Sequence, residues 1–281
     1  MKKSDLQAKN IKNNIKIKKS YKNVTLFNTK SATLLLTKFR TEDKMRDIIG
    51  RISSVETMGT VDGPGVRYVL FMQGCNLRCK YCHNPETWAH DGKCLKFTPG
   101  TMVRRILRYK SYMGKDGGVT FSGGEPLLQP EFVTALLKLC KFHGMHTAID
   151  TAGVGGEHIG DILNNTDLVI LDVKATNAEE YKKITGFSMD KFNEFLKILD
   201  TKPCKVWLRQ VIVPGINDTE EKVLSLKDFA KKIKNVEKIE LLPYKTLGVH
   251  KYEKLGIPYP LKAVPDMDEE RLEKLQKLLK V

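Results

Sequence analysis

No apolar run in this chain approaches the roughly 18 residues a membrane helix needs; the longest near the start is Leu34-Leu35-Leu36. The Lys-rich beginning leads into no apolar segment of roughly 7–15 residues and no small-residue cleavage site, so a secretory signal is not supported. Residues 1–44 contain neither glycine nor proline and show no sustained helical or strand period. They read, as residues 1–46, as a basic, flexible extension ahead of one domain at residues 47–281, with Met45 as an alternative start. A second cysteine-rich block is also missing, as is any stripe of alternating aromatic and basic residues in the body of the chain. These absences point to a cytoplasmic globular protein with no membrane role and no specific nucleic acid partner.

The net charge of +15 is unevenly spread. Residues 1–49 carry 13 Lys and Arg against 4 Asp and Glu, leaving only +6 for the other 232 residues. A basic tail attracts polyanions without specificity, but the nearly balanced body says little about chemistry.

From residue 50 onward, β-type runs alternate with amphipathic segments, the mark of a mainly parallel sheet. Strands are expected at 66–72, 118–122, 146–150, 168–173, 205–213 and 238–242. Helices are expected at 99–112, 130–143, 157–164, 189–200 and 219–234, with a last one at 268–279 capped by Asp268. Six such units suit either a doubly wound sheet or an incomplete barrel. Polar residues and glycines follow nearly every strand, at Gly74-Cys75, Ser122-Gly123-Gly124-Glu125, Asp150-Thr151, Asp172-Val173-Lys174, Pro214-Gly215 and Pro243-Tyr244. Ligands of parallel α/β folds bind at the carboxyl ends of strands, so these ends describe one site.

Three of the six cysteines fall within eight residues, at Cys75, Cys79 and Cys82. In a chain of this length without a secretory signal, clustered thiols point to metal or catalysis before disulfides. A structural zinc site normally takes four ligands, and His83, directly after Cys82, is awkwardly placed to be the fourth. An iron–sulfur cluster also takes four thiolates, so three would leave one iron of a 4Fe–4S cluster open to another ligand. Cys94, Cys140 and Cys204 are scattered and read as small core or surface residues.

Cys-x3-Cys-x2-Cys with Tyr81 before the last cysteine resembles the radical S-adenosylmethionine superfamily. The resemblance narrows to the activating enzymes of glycyl radical enzymes, those of pyruvate formate-lyase in particular. It is carried by Thr60-Val61-Asp62-Gly63-Pro64-Gly65-Val66-Arg67, the cysteine loop into His83-Asn84-Pro85, Ser122 to Leu127, and Leu171 to Lys174. Val206 to Arg209, Val213 to Gly215, and Glu240 to Tyr244 extend it. It covers roughly residues 47–281.

The resemblance implies a partial (β/α)6 TIM-like barrel. It implies a 4Fe–4S cluster on Cys75, Cys79 and Cys82, S-adenosylmethionine on its open iron, and reductive cleavage to methionine and a 5′-deoxyadenosyl radical. That radical would take hydrogen from a glycine of pyruvate formate-lyase. Tyr81, Cys82, His83, Gly124, Asp172, Val173, Lys174 and Lys245 would contact the S-adenosylmethionine. Asp150, Thr151 and Asp172 would hold a monovalent cation, and Asp62 and Arg209 would meet the partner's glycine-bearing peptide. Lys245 stands where the family usually has histidine, and lysine supplies a donor but no acceptor. A flavodoxin or ferredoxin is the implied electron donor, and a monomer is expected. The competing readings are a radical enzyme with another glycyl radical partner or a small-molecule substrate, and a zinc-stabilised basic nucleic-acid-binding protein.

Overall fold

The computed structural model describes residues 47–279; the expected extension at 1–46 lies outside them. In chain order the strands are β1 (Gly50–Gly59), β2 (Arg67–Met72), β3 (Leu95–Phe97), β4 (Gly118–Gly123), β5 (His146–Thr151), β6 (Leu168–Asp172), β7 (Lys205–Ile212) and β8 (Val236–Pro243). The helices are α1 (Pro99–Leu107), α2 (Lys110–Met113), α3 (Pro130–Phe142), α4 (Ile159–Leu163), α5 (Ala178–Thr185), α6 (Asp190–Leu199), α7 (Glu220–Ala230), α8 (Val249–Leu255) and α9 (Glu269–Leu278). Side chains of Thr98, Asn177, Thr219 and Asp268 accept the third-position amides of α1, α5, α7 and α9, the usual satisfaction of a helix start. The Asp268 cap is as expected from the sequence.

One eight-stranded sheet runs β3-β1-β2-β4-β5-β6-β7-β8, with β2 and β4 to β8 parallel and β1 and β3 antiparallel at one edge. Spatial order follows chain order across the six parallel strands. A doubly wound sheet requires a reversal of that order, and none occurs. β3 and β8 are the two edges, so the sheet is an unclosed, partial (β/α)6 barrel, as the resemblance implied.

Side chains alternate across each strand, which divides the domain into two layers. Tyr68, Leu70, Met72, Val119, Phe121, Ile149, Val169, Leu171, Val206 and Leu208 join the helices in the main apolar core. The opposite face lines the barrel. There Ala148, Leu168 and Ile170, with Trp207 against them, form a small separate cluster. Continuing the alternation upward from it brings Asp150, Asp172 and Arg209 to the strand ends, with Asp172 paired to Arg209 and Arg209 to Glu240 in the β-ladders. On the β5 to β7 side the barrel thus passes from an apolar cluster to a charged rim.

The main departures from the expected elements are β1, β3, α5 and α8, none of which was anticipated. A break in register between Ile52 and Ser54 interrupts the alternation of β1. β3 has three residues and α8 seven, too short for a clear period. The single helix expected at 99–112 divides into α1 and α2.

Phe192 on α6 is fully buried beside Tyr181 and Phe229, whereas Phe187 is exposed. Phe192→Ala should cost about 3–5 kcal/mol, and Phe187→Ala no more than about 0.5 kcal/mol. Denaturant unfolding measures both, and equal losses would contradict this assignment of the core.

Candidate active site at the strand ends

The cysteine loop after β2 makes hydrogen bonds of its own and is also held from outside by main-chain groups. Gly74 adopts φ +101°; its amide donates to the Thr87 carbonyl at 2.7 Å, and its carbonyl accepts the Glu125 amide at 2.8 Å. The Arg78 and Lys80 amides donate to the carbonyls of Thr185 and Ile184, at 2.9 and 3.0 Å. Those are last-turn carbonyls of α5, which a helix leaves without internal partners. Cys79, Leu77 and Tyr81 are buried, Cys75 and Cys82 half-buried, and Asn76, Arg78 and Lys80 face out.

Burial pushes all three thiols up, Cys75 to about 12 and Cys79 to about 11. The Lys174 ammonium opposes this at Cys79 and Cys82, and the Asn84 amide donates to the Cys82 sulfur at 3.4 Å. All six cysteines are free. Among the described residues no three His, Cys, Asp or Glu side chains are arranged to hold a single metal ion; three thiolates at separate corners of a polynuclear cluster meet a different requirement.

Gly124 is fixed by crowding. Its amide donates to the Met72 carbonyl at 2.9 Å, and a Cβ there would lie 2.2 Å from the Gly74 carbonyl oxygen. The glycine motif is therefore packed on the cysteine loop itself. Glu125, fully buried, accepts from the Leu127 and Ala152 amides and from the Thr151 hydroxyl at 2.6 Å. Burial still lifts its carboxyl to about 7.

Lys174 is 8% exposed and ion-paired with Asp172 Oδ2. Burial would pull its ammonium down, but Asp172, Tyr81 and Cys79 outweigh that and hold it well above its usual range. It also lies 5.3 Å from the Tyr81 ring centre. Asp172 Oδ1 and the Tyr81 and Tyr181 hydroxyls are buried without hydrogen-bond partners. Val173 is buried, its amide donating to the Arg209 carbonyl.

Asp150 accepts from the Ser122 hydroxyl at 2.8 Å. Burial lifts it to about 6, with Arg209 lowering and Asp172 raising it. Thr151, one residue on, faces the other way: its hydroxyl donates to Glu125 and accepts from the Gly153 amide. Asp150 and Asp172 share a face; the Thr151 side chain does not join them.

Arg209 donates to Glu240 Oε2 at 2.7 Å and to the Val61 carbonyl, so it meets the loop bearing Asp62. Asp62 is raised by burial, opposed by Arg209. His83 Nε2 donates to the Lys245 carbonyl at 2.7 Å, while the Lys245 ammonium turns to Glu269 at 3.3 Å. The side chain at this departure from the family pattern thus pairs with α9. Cys94, Cys140 and Cys204 take no part; the last two are buried.

A model of the Radical SAM superfamily matches residues 69–226. The chain is 52% identical over 234 residues to the pyruvate formate-lyase-activating enzyme of Clostridium pasteurianum, covering 83% of this chain and 98% of that one. It is 44% identical over 237 residues to the pyruvate formate-lyase 1-activating enzyme of Escherichia coli K12, covering 83% and 96%. The chain belongs to the radical SAM superfamily. Within it, these identities place it in the family of pyruvate formate-lyase-activating enzymes. The crystal structure of a radical SAM methyltransferase from Sphaerobacter thermophilus, 14% identical, superposes with a TM-score of 0.54 over 76% of this chain and 63% of that one, a likeness of fold.

Radical SAM membership brings a 4Fe–4S cluster and S-adenosylmethionine, and the residues fit both. Three unbridged thiols on a loop pinned by other segments make the donor set. Beside them lie a buried ammonium and buried oxygens without partners, at Tyr81, Tyr181 and Asp172.

The sequence reading gave no role to Ser122, Glu125, Glu240 or the buried Arg67. All four lie in the sequence motifs, but their partners come from neighbouring strands, and ladder register is not written in any one strand.

In the metal-free protein at pH 8, Cys75 and Cys79 should react with iodoacetamide about two to three orders of magnitude more slowly than an unperturbed thiol, because so little thiolate is present. The rate should climb through pH 10. Mass spectrometry of the labelled peptides measures it, and rapid labelling at pH 7 would refute the burial argument.

Proposed function

We propose that this enzyme activates pyruvate formate-lyase by forming a glycyl radical on it, with Asp62 and Arg209 reading the glycine-bearing peptide. The observation that carries this reading is the adjacency of the Asp62 loop to the strand ends that bear the cofactor motifs, through Arg209 and the Val61 carbonyl. With cluster and S-adenosylmethionine bound, reductive cleavage supplies a 5′-deoxyadenosyl radical to abstract the glycine hydrogen. The protein's share is to hold, orient and exclude water. Cys75, Cys79 and Cys82 carry the cluster. Tyr81, Cys82, His83, Gly124, Asp172, Val173 and Lys174 would line the S-adenosylmethionine, the Lys174 ammonium being suited to its carboxylate. The ammonium of Lys245, turned to Glu269, leaves its main-chain grip on His83 as its part in the site.

A monovalent cation between Asp150 and Asp172 would offset the burial, and the smaller Asp172 charge, that raise Asp150 and would satisfy Asp172 Oδ1. The Thr151 hydroxyl, engaged twice already, has only one lone pair left for it. Exposed Arg78 and Lys80, between the cluster cysteines, offer a basic face to a flavodoxin or ferredoxin donor. A monomer in the cytoplasm belongs to the same reading; no described helix is long and apolar enough to cross a membrane. The catalytic domain is residues 47–281, and a chain beginning at Met45 should keep its activity.

The test is anaerobic incubation of reconstituted enzyme with reductant, S-adenosylmethionine and pyruvate formate-lyase. Parent enzyme should give 5′-deoxyadenosine and a glycyl electron paramagnetic resonance signal. Cys79→Ala should give neither, and Asp62→Asn should lose more of the glycyl signal than of the deoxyadenosine. Deoxyadenosine without any glycyl signal from the parent would favour a different substrate.

A further inference from the structure

The loop at residues 60–66 is clamped through its main chain from two sides. From the rim, Arg209 donates to the Val61 carbonyl. From inside the barrel comes a second arginine, Arg67, 0% exposed at the start of β2. Its Nε donates to Thr120 Oγ1 at 2.9 Å, its Nη2 to the Val119 carbonyl at 2.7 Å, and its Nη1 reaches His146 Nδ1 at 3.0 Å and the Pro64 carbonyl at 3.4 Å. The Thr120 hydroxyl passes the restraint on, donating at 2.7 Å to the main-chain carbonyl of Asp62. Thr120 is itself fully buried on β4.

The consequence is a loop whose carbonyls are fixed, with Thr60 and Val61 exposed and Asp62 half-buried. Val61 is 72% exposed. Burial raises the Asp62 carboxylate, and the nearby Arg209 guanidinium opposes this. A buried guanidinium with no carboxylate in hydrogen-bond contact is costly to keep, and here its donors go to two carbonyls, a hydroxyl and an imidazole. A hydroxyl that accepts from the guanidinium is committed to donating elsewhere, so Thr120 directs its proton to the Asp62 carbonyl.

We propose that Arg67 and Thr120 are positioning residues for partner recognition, setting the height and direction of Asp62 at the barrel mouth through the Thr120–Asp62 hydrogen bond. This rests on Asp62 reading the glycine-bearing peptide. Small displacements of a positioning group are expensive in productive encounters, and the pair lies beneath the loop, away from the cysteines and the Asp172–Lys174 pair.

Thr120→Val keeps the shape and removes the hydroxyl; Thr120→Ser keeps the hydroxyl. In reconstituted holoenzyme, Thr120→Val should raise KM for pyruvate formate-lyase on the order of tenfold or more. Its iron content and its rate of partner-independent deoxyadenosine formation should stay at the parent level, and Thr120→Ser should restore KM. Thr120→Ala, measured alongside, carries the same expectation if the valine variant fails to fold. An unchanged KM in the hydroxyl-free variants, or a parallel fall in deoxyadenosine formation, overturns the proposal. Asp62→Asn separates the two layers. If it raises KM while the Thr120 variants do not, only this inference fails; if it leaves KM unchanged, the reading of Asp62 fails and takes this inference with it.

Discussion

The close approach of two backbones, Gly74 to Gly124, is the constraint on which the site depends. The Glu125 amide holds the Gly74 carbonyl at 2.8 Å, and the same carbonyl oxygen occupies the space a Gly124 side chain would need. Through this contact the end of β4 sets the position of the cysteine loop that leaves β2. The C-terminal carbonyls of α5 fix the same loop from the other side by taking the Arg78 and Lys80 amides. A metal-binding loop held in this way has its ligands placed before metal arrives, which lowers the ordering cost of binding.

Charge is arranged with the same economy. On its β5 to β7 side the lower barrel is apolar around Ala148, Leu168 and Ile170, so the charges above it sit at the edge of a medium that solvates them poorly. Lys174 is held by Asp172, and Arg209 by Glu240. Asp150, helped by a hydroxyl and by the more distant Arg209, is left raised to about 6, as the buried Glu125 is to about 7. Deficits of this kind gather at functional sites, and here the deficit lies at the strand ends that bear the cofactor motifs.

Much of this was legible in the sequence because each motif follows a strand and strand ends converge. The six parallel strands are written in apolar runs such as Leu168-Val169-Ile170-Leu171, buried on both faces. The cysteine spacing pointed to an open iron–sulfur cluster, and several motifs in order carried the family resemblance that implied the chemistry. Composition could not choose between a barrel and a doubly wound sheet, because that choice lies in the order of strands. Nor could it see that Thr151 turns from Asp150 to Glu125, or that Lys245 turns to Glu269. Those depend on neighbours 26 and 24 residues away, through contacts that no local pattern records. Arg67 was quoted within a motif, yet its burial beneath the Asp62 loop appears only when β2 and β4 are laid side by side.

The central claim, that the Gly74–Gly124 approach places the cluster ligands, is tested most directly by the iron content of Gly124→Ala after anaerobic reconstitution, read beside its thermal unfolding. The account predicts a folded barrel with cooperative unfolding and most of its iron lost, because the cysteine loop must retreat from a Cβ 2.2 Å from the Gly74 oxygen. A folded variant that takes up iron and sulfide to the full level of the parent would contradict it.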